Sequence, residues 1–209
     1  MVGLYFILIF VIVVLKNKMK LKLADISSIQ TGLFAKPIAE GEVVYLQARH
    51  FDENGQLVSS LHPDLKAEGI SDKHLLQPGD VLFAAKGTKN FAAWYESDNL
   101  PAVASTSFFV IRLNESFQNK ILPEFLVWLI NLPNSQNFLK GKAIGTSIVS
   151  ISKSVLEELE ISIPNLKAQK AILKITHLRK AEKNLKQQIE TLREKQIQQQ
   201  IWQVINDKL

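Results

Sequence analysis

The chain has 209 residues, of which 46% are hydrophobic and 22% charged, and it has no cysteine. This length suits one ordinary domain with an appendage, and the composition excludes a wholly disordered, collagenous or multispan membrane protein. Without cysteine there is no disulfide framework and no thiolate zinc site. Lys and Arg outnumber Asp and Glu by 25 to 20, which weakly favours an anionic partner such as nucleic acid or a membrane surface.

An unbroken apolar run, Gly3–Leu15, opens the chain and is followed at once by lysines. As a helix these 13 residues would span only about 20 Å, against roughly 30 Å of hydrocarbon in a bilayer. Because the lysines follow the run and no small-residue cleavage site appears, a signal peptide fits poorly. Three interpretations stay open for residues 1–18: an upstream extension before a true start at Met19, a weak membrane anchor, or a buried strand.

The next hundred residues are expected to form short strands separated by turns. Val43–Leu46, Val81–Ala84 and Ser107–Ile111 are β-branched or aromatic runs typical of strands. Asp52–Gly55 and Gln77–Asp80 have turn chemistry, since Gly tolerates positive φ and Pro presets the turn entry. This part of the chain is therefore predicted to be β-rich.

The pattern then changes to short helices. Pro123 suits the first turn of a helix whose apolar residues recur on one face, and a second helix is expected near 134–140. The spacing of Ser154 and Glu157 is that of a capping box and predicts the start of a third helix. A strand at 160–163, closed by Pro164, is predicted to follow.

From about Leu166 the composition shifts to Lys, Gln, Glu, Leu and Ile without Gly or Pro, which predicts one helix of about 40 residues. The fold class is accordingly α+β: a β-rich domain over 19–164 and a long coiled-coil helix over 165–209. That helix holds ten Lys and Arg against four Asp and Glu, so the basic excess belongs to it. Its apolar seam has coiled-coil spacing. The seam consists of Ile175, Leu178, Leu185, Ile189 and Leu192.

After Leu192 the apolar positions shift to Ile197, Ile201, Val204 and Ile205, as in a coiled-coil stutter. An isolated helix of this length cannot bury such a stripe on itself, so it is expected to pair with another helix. The change of register predicts a change of partner surface.

Catalytic or metal-binding patterns are not recognisable. The four histidines lie far apart in the sequence, and Asp64 lacks a second carboxylate on a separate strand with which to bind Mg²⁺. The Gly141–Ser147 segment fails the phosphate-loop pattern because its lysine precedes the second glycine. We therefore expect no catalytic residue, no metal site and no cofactor.

Three segments without acidic residues are better candidates for a nucleic-acid surface: 84–95, 134–153 and the Ser105–Ser107 cluster. Lysines and backbone N–H groups in them are suited to phosphates, and polar side chains to phosphates or base edges. An alternative for the first segment is a solvated hairpin with Trp94 and Tyr95 in the core. The candidate DNA-binding residues are Lys86, Gly87, Thr88, Lys89, Asn90, Lys140, Lys142, Thr146 and Ser147.

In order along the chain, several short motifs over about 20–206 resemble the target-recognition half of a type I restriction–modification specificity subunit. Two departures are visible: Ala168-Gln169 stands where the family often has Glu-Gln, and a full subunit has two recognition domains and two spacer helices. The motifs are Ile29–Gly32, Tyr45–Leu46, Leu76–Phe83, Ala102–Ser105, Leu122–Leu126, Ala143–Thr146 and Ile161–Pro164.

This resemblance implies a non-catalytic, cytoplasmic reader of double-stranded DNA that binds one half-site and docks a methyltransferase subunit, and in some systems an endonuclease or translocase subunit. A half-length chain would pair through its spacer helix with a second copy or with another specificity subunit. The shifted stripe at Ile197–Ile205 would then face the methyltransferase. The alternative function is a membrane-tethered coiled-coil adaptor that uses Gly3–Leu15 as its anchor.

Overall fold

The structure is a computed structural model, and it describes residues 19–52, 55–58, 60–87, 89–96, 101–143 and 149–206. The apolar run Gly3–Leu15 lies outside these ranges. The chain divides into two compact units, the first ending at Gln169 and the second beginning at Lys170. Over the described ranges, no helix combines the length and apolar character needed to cross a bilayer.

The first unit is built on small sheets, as predicted. The largest has the strand order β2-β8-β4-β6 and is antiparallel throughout, and three two-stranded pairs accompany it: β1 with β10, β3 with β7 and β5 with β9. Only β3 and β7 run parallel among the named strands. The strands are β1 (Met19–Lys22), β2 (Ser27–Thr31), β3 (Val44–Leu46), β4 (Val81–Ala84), β5 (Lys86–Gly87), β6 (Ala92–Trp94), β7 (Ala102–Ala104), β8 (Phe108–Leu113), β9 (Val149–Ser150) and β10 (Glu160–Ile163).

The central strand β4 is buried along its whole length, which explains its uninterrupted apolar sequence. Side chains alternate between the two faces of a strand. Leu82 and Ala84 on one face join a core cluster with Phe108 and Val110 of the neighbouring strand β8. Phe83, on the other face, is also fully buried. Both faces of this sheet are therefore covered.

The predicted helices are present, one of them with a different cap, and two short helices, Leu23–Ile26 and Glu115–Gln118, were not predicted. The third predicted helix is Lys153–Glu157, and its N-cap is Ser152 and not Ser154: the Ser152 Oγ accepts a hydrogen bond from the backbone N–H of Val155 (3.3 Å). Ser154 Oγ lies 2.9 Å from Ser152 Oγ. The helices are α1 (Leu23–Ile26), α2 (Glu115–Gln118), α3 (Pro123–Ile130), α4 (Pro133–Gly141), α5 (Lys153–Glu157) and α6 (Leu166–Asn206).

The start of α6 is held in the first unit by Gln169, whose side chain is fully buried. Its Oε1 accepts a hydrogen bond from the N–H of Leu122 (2.9 Å), and its Nε2 donates to the carbonyls of Lys120 (2.7 Å) and Pro164 (2.8 Å). One amide thus satisfies three backbone groups of the segments that precede α3 and α6. Gln169 of the Ala168-Gln169 motif therefore has a structural role.

Replacing Gln169 with leucine should lower the free energy of unfolding by about 2–4 kcal/mol, because three backbone groups would lose their partner without access to water. Chemical denaturation of the full chain measures the change. Gln188→Leu, at an exposed position of the same helix, is the control and should shift stability by less than about 0.5 kcal/mol. Equal stabilities for the two variants would contradict the role given to Gln169.

Candidate nucleic-acid interface

The two longer acid-free segments meet in the fold. Strand β5 pairs antiparallel with β9, so that Lys86 lies opposite Ser150 and Gly87 opposite Val149. The backbone N–H of Ile151 donates to the carbonyl of Ala85 (2.9 Å) and extends this pairing by one bond. Segments about sixty residues apart in the sequence are thereby joined edge to edge.

The third polar cluster adjoins the same place. The N–H of Ala85 donates to the carbonyl of Ser107 (2.9 Å), so the residue before Lys86 is bonded to both other segments. Within the cluster, the hydroxyls of Ser105 and Ser107 are 2.7 Å apart. Parts of all three segments therefore meet at one place, which we call the joined-loop surface: residues 85–87, 89–91, 105–107 and 149–151.

Gly32 allows the chain to pass close to this surface. A Cβ at Gly32 would lie only 2.1 Å from the carbonyl oxygen of Ser105, so any larger residue would clash with backbone. The N–H of Gly32 donates to Phe108 O (3.0 Å), and that of Leu33 donates to Ala104 O (2.7 Å). The glycine of the Ile29–Gly32 motif is thus required by a close backbone approach.

A fourth segment that the sequence analysis missed also borders the joined-loop surface. A 3₁₀ helix, Ala48–His50, follows β3 directly, and Phe51 then packs on Phe91 and Phe108 with ring centroids 5.9 and 5.7 Å apart. Arg49 is exposed and lines a cleft with Lys86 and Lys89. The only sequence signal was an arginine just after a predicted strand, which is too common to single out.

His50 supports this fourth segment. Its Nδ1 lies 3.3 Å from the backbone nitrogen of Gln47 and accepts that N–H, which closes the turn. Burial, and after it the neighbouring Arg49 guanidinium, lower the pKa of His50, while Asp64 acts in the opposite direction.

The candidates of the first segment differ in position. Lys86 and Lys89 are exposed, and Gly87 has a positive φ of 144°. Asn90 is buried, and its Nδ2 donates to the carbonyl of Ala84 (2.9 Å). The Asn90 side chain therefore braces the loop from inside, a role that the sequence analysis did not foresee. Thr88 lies outside the described residues.

In the second segment, Lys142 has an acidic partner that the sequence analysis did not expect. Its Nζ is 2.6 Å from Glu158 Oε2 and 4.7 Å from the ring centroid of Phe138. This hydrogen bond lowers the pKa of the Glu158 carboxyl. The segment is free of acids in sequence but not in space, because Glu158 approaches it from the α5–β10 turn. Lys140 is exposed, and Thr146 and Ser147 lie outside the described residues.

The alternative interpretation of 84–95 as a hairpin with two buried aromatics is partly correct. Residues 92–94 form strand β6 at one edge of the large sheet, and Tyr95 is buried. Trp94, in contrast, is 37% exposed. The Asn131 side chain pairs with the backbone of Ala92 in both directions, at 2.7 and 2.8 Å, and so covers part of this edge.

The sequence analysis rejected Asp64 and the histidines as metal ligands. In the structure the Asp64 carboxylate accepts a hydrogen bond from the backbone N–H of Tyr45 (2.8 Å), and so links the segment that carries Asp64 to strand β3. Among the residues with described positions, no three His, Asp or Glu side chains are grouped so as to hold a metal ion.

Comparison with protein families decides the assignment. Residues 16–194 match the model of the type I restriction modification DNA specificity domain. The chain belongs to this family. The match covers the joined-loop surface, Gln169 and the seam residues of α6 up to Leu192.

Solved structures of such specificity subunits share the fold. The S subunit of a type I restriction–modification system from M. genitalium has a TM-score of 0.54 and 19% identity over 78% of this chain and 38% of that one. The HsdS subunit from Thermoanaerobacter tengcongensis has a TM-score of 0.60 and 22% identity, over 81% of this chain and 44% of that one. A chain from a structural study of type I R-M complex assembly and conformational transition has a TM-score of 0.62 and 21% identity, over 82% of this chain and 44% of that one.

The chain thus spans about two fifths of the length of the specificity subunits that it matches. A comparison with curated protein sequences gave no match. The chain is accordingly a member of the type I specificity-domain family, with a β-rich unit and one long helix.

Proposed function

We propose that this chain recognises one half of a split DNA target in a type I restriction–modification system, with residues 19–164 as the DNA-reading domain and 165–209 as a spacer helix. The observation that carries the proposal is the β5–β9 pairing, which joins the two predicted DNA-binding segments beside Ser105–Ser107. The joined segments contain no acidic residue of their own and carry the exposed Lys86 and Lys89, and such lysines suit a polyanion.

Lys86 and Lys89 are the first choices for phosphate contacts, because both are exposed on the joined-loop surface. Lys140 is exposed at the end of α4 and is a further choice. Lys142 is a weaker one, since DNA would have to compete with Glu158 at 2.6 Å. Phosphate contacts of this kind set register and affinity, whereas base contacts set specificity.

The long helix supports the pairing part of the proposal. Four seam residues, Leu178, Leu185, Ile189 and Leu192, are 48–63% exposed, while Ile175 is partly buried. A stripe of large apolar side chains in water favours association with a matching helix. We propose antiparallel pairing with a second copy, or with another specificity chain, which would place two recognition units at a separation set by the helices.

Two-fold pairing of identical chains would make the DNA target a split palindrome. The second stripe, Ile197 to Ile205, is likewise exposed, and Trp202 beside it is 67% exposed. We propose that this stripe docks the methyltransferase subunit, and that the chain itself contributes recognition and no catalysis. Association with an endonuclease or translocase subunit would follow through the assembled complex.

The DNA-binding part is tested with the double variant Lys86→Ala, Lys89→Ala. We expect weaker binding to all duplex sequences and a slope of log affinity against log salt that is less steep by about two, one for each phosphate that the variant no longer neutralises. Fluorescence anisotropy with a random-sequence duplex at several salt concentrations measures both quantities.

The matched control is Lys66→Ala with Lys73→Ala, which removes the same charge from exposed positions outside the joined-loop surface. This control should leave the salt slope nearly unchanged. If both double variants bound alike, the assignment of phosphate contacts to the loop lysines would be wrong. If the wild-type chain bound no duplex, the proposed function itself would fail.

A further inference from the structure

Arg49 and the lysine–glycine loop line the same cleft. The cleft has a volume of about 280 Å³ and is lined by Arg49, Phe51 and Asp52 of one segment and by Lys86, Gly87 and Lys89 of another. These residues come from segments about 35 positions apart in the sequence. The cleft therefore belongs to the tertiary fold and not to a single loop.

The segment that carries Arg49 is firmly held. It begins immediately after the parallel strand pair β3–β7, where the N–H of Ser105 donates to the carbonyl of Leu46 (2.8 Å). Two residues after Arg49, Phe51 packs against the core rings of Phe91 and Phe108, which themselves meet at 6.2 Å. A side chain on such a support loses less entropy on binding than one on an unsupported loop.

The charges in the cleft are mixed, and this favours an uncharged base edge over a phosphate. Asp52 lines the same cleft, and its Oδ1 accepts the N–H of Gln56 (2.8 Å), which holds the carboxylate in place. A fixed carboxylate repels a phosphate but can accept a hydrogen bond from a base amino group. Arg49, whose Nε lies 3.4 Å from His50 Nε2, also lines the cleft, and its guanidinium is a planar fork that matches the N7 and O6 acceptors of guanine.

We propose that Arg49 is a specificity-determining residue that reads a guanine in the DNA half-site, while Lys86 and Lys89 grip the flanking phosphates. This inference rests on the proposed DNA-binding function and adds to it the residue that distinguishes sequences. The recognised chemistry is the major-groove edge of a guanine–cytosine pair.

The test is selection of duplexes from a random pool by the full chain, for the wild type, Arg49→Gln and Arg49→Met. The wild type should enrich a motif with a fixed guanine. Arg49→Gln should lose the preference for guanine at that one position by about 5- to 150-fold, and a shift toward adenine is expected because a glutamine amide matches adenine. Arg49→Met should lose the preference without gaining another.

Arg49 is exposed, so both variants should unfold at the wild-type temperature, and this is measured in parallel. Unchanged motifs in both variants would overturn the proposal. An even loss of affinity at every sequence, with a salt slope less steep by about one, would also overturn it, since that result identifies a phosphate contact. A wild-type chain that selects no DNA would instead sink the proposed function, and the role of Arg49 with it.

Discussion

Replacing Arg112 with methionine should lower the free energy of unfolding by about 3–5 kcal/mol, because the variant leaves a buried carboxylate without its cation. Asp80 is only 1% exposed, and Arg112 grips it with two parallel bonds, Nε to Oδ1 at 2.8 Å and Nη2 to Oδ2 at 2.6 Å. The hydrogen bond to Asp80 raises the pKa of Arg112. Urea denaturation of the full chain measures the loss.

Loss of the cation beside Asp80 is expected to cost stability also because Asp80 organises a turn. Its Oδ2 accepts the N–H of Gln77 (2.8 Å), and its backbone carbonyl accepts the N–H of Tyr95 (2.9 Å). Arg112 Nη2 donates in addition to the carbonyl of Leu75 (3.1 Å), so one guanidinium spans strand β8 and the segment before β4. The turn motif that leads into β4 is thereby tied to the neighbouring strand.

Two further variants separate the effect of the two parallel hydrogen bonds of Arg112 from the effect of its positive charge. Arg112→Lys keeps the cation but cannot form the two parallel bonds, and it should recover only part of the stability. The double variant Arg112→Met, Asp80→Asn removes the stranded charge and should be more stable than Arg112→Met alone. If Arg112→Met and the double variant were equally unstable, an uncompensated charge at Asp80 would not be the cause.

Elements with a strong local pattern were predictable from sequence. Strand β4 is a continuous apolar run between turn residues, and Pro123 marks the first turn of α3; both were placed correctly. The long helix was predictable because no Gly or Pro interrupts its composition, and it extends over 41 residues as Leu166–Asn206. In these cases the residues that decide the structure lie within one or two turns of each other.

Short elements whose partners are distant were not predictable. Strand β1 holds three lysine or methionine residues in four positions and exists because it pairs with β10, some 140 residues later. The cap of α5 was misplaced by two residues because Ser152 and Ser154 are both suitable caps and only the tertiary fold selects one. Local propensity is outweighed there by pairing and packing.

The candidate site shows the same division. Exposed lysines beside a glycine could be recognised in the sequence, and the joining of their segments through β5 and β9 could not, since two residue pairs leave no periodicity. The ion pair of Lys142 with Glu158 and the burial of Asn90 were not predictable either. Whether a lysine is paired or an asparagine buried depends on what folds against it, and a one-dimensional count of acids does not contain that information.

Replacing Leu185 and Ile189 together with aspartate should convert a helix-paired dimer into monomers. Each seam side chain contributes roughly 1.5–3 kcal/mol when buried, and a dimer would lose four of them, so its dissociation constant should rise by at least about 10⁴-fold. Both residues are about half exposed in the single chain, at 59% and 48%, so the variant chain should still fold. Sedimentation velocity over a range of protein concentrations measures the change.

The matched control changes the second stripe by the same chemistry. Ile201→Asp with Ile205→Asp should leave the dimer intact and abolish co-purification with a methyltransferase subunit. The seam variant should instead lose tight binding to a split palindromic duplex, because its two recognition units are no longer linked. If the seam variant stayed dimeric, the pairing role of Leu185 and Ile189 would be wrong. If the second-stripe variant still co-purified with a methyltransferase subunit, the docking role proposed for Ile197 to Ile205 would be wrong. The two stripes are separable because the register of apolar residues shifts after Leu192, so one helix carries two exposed apolar stripes.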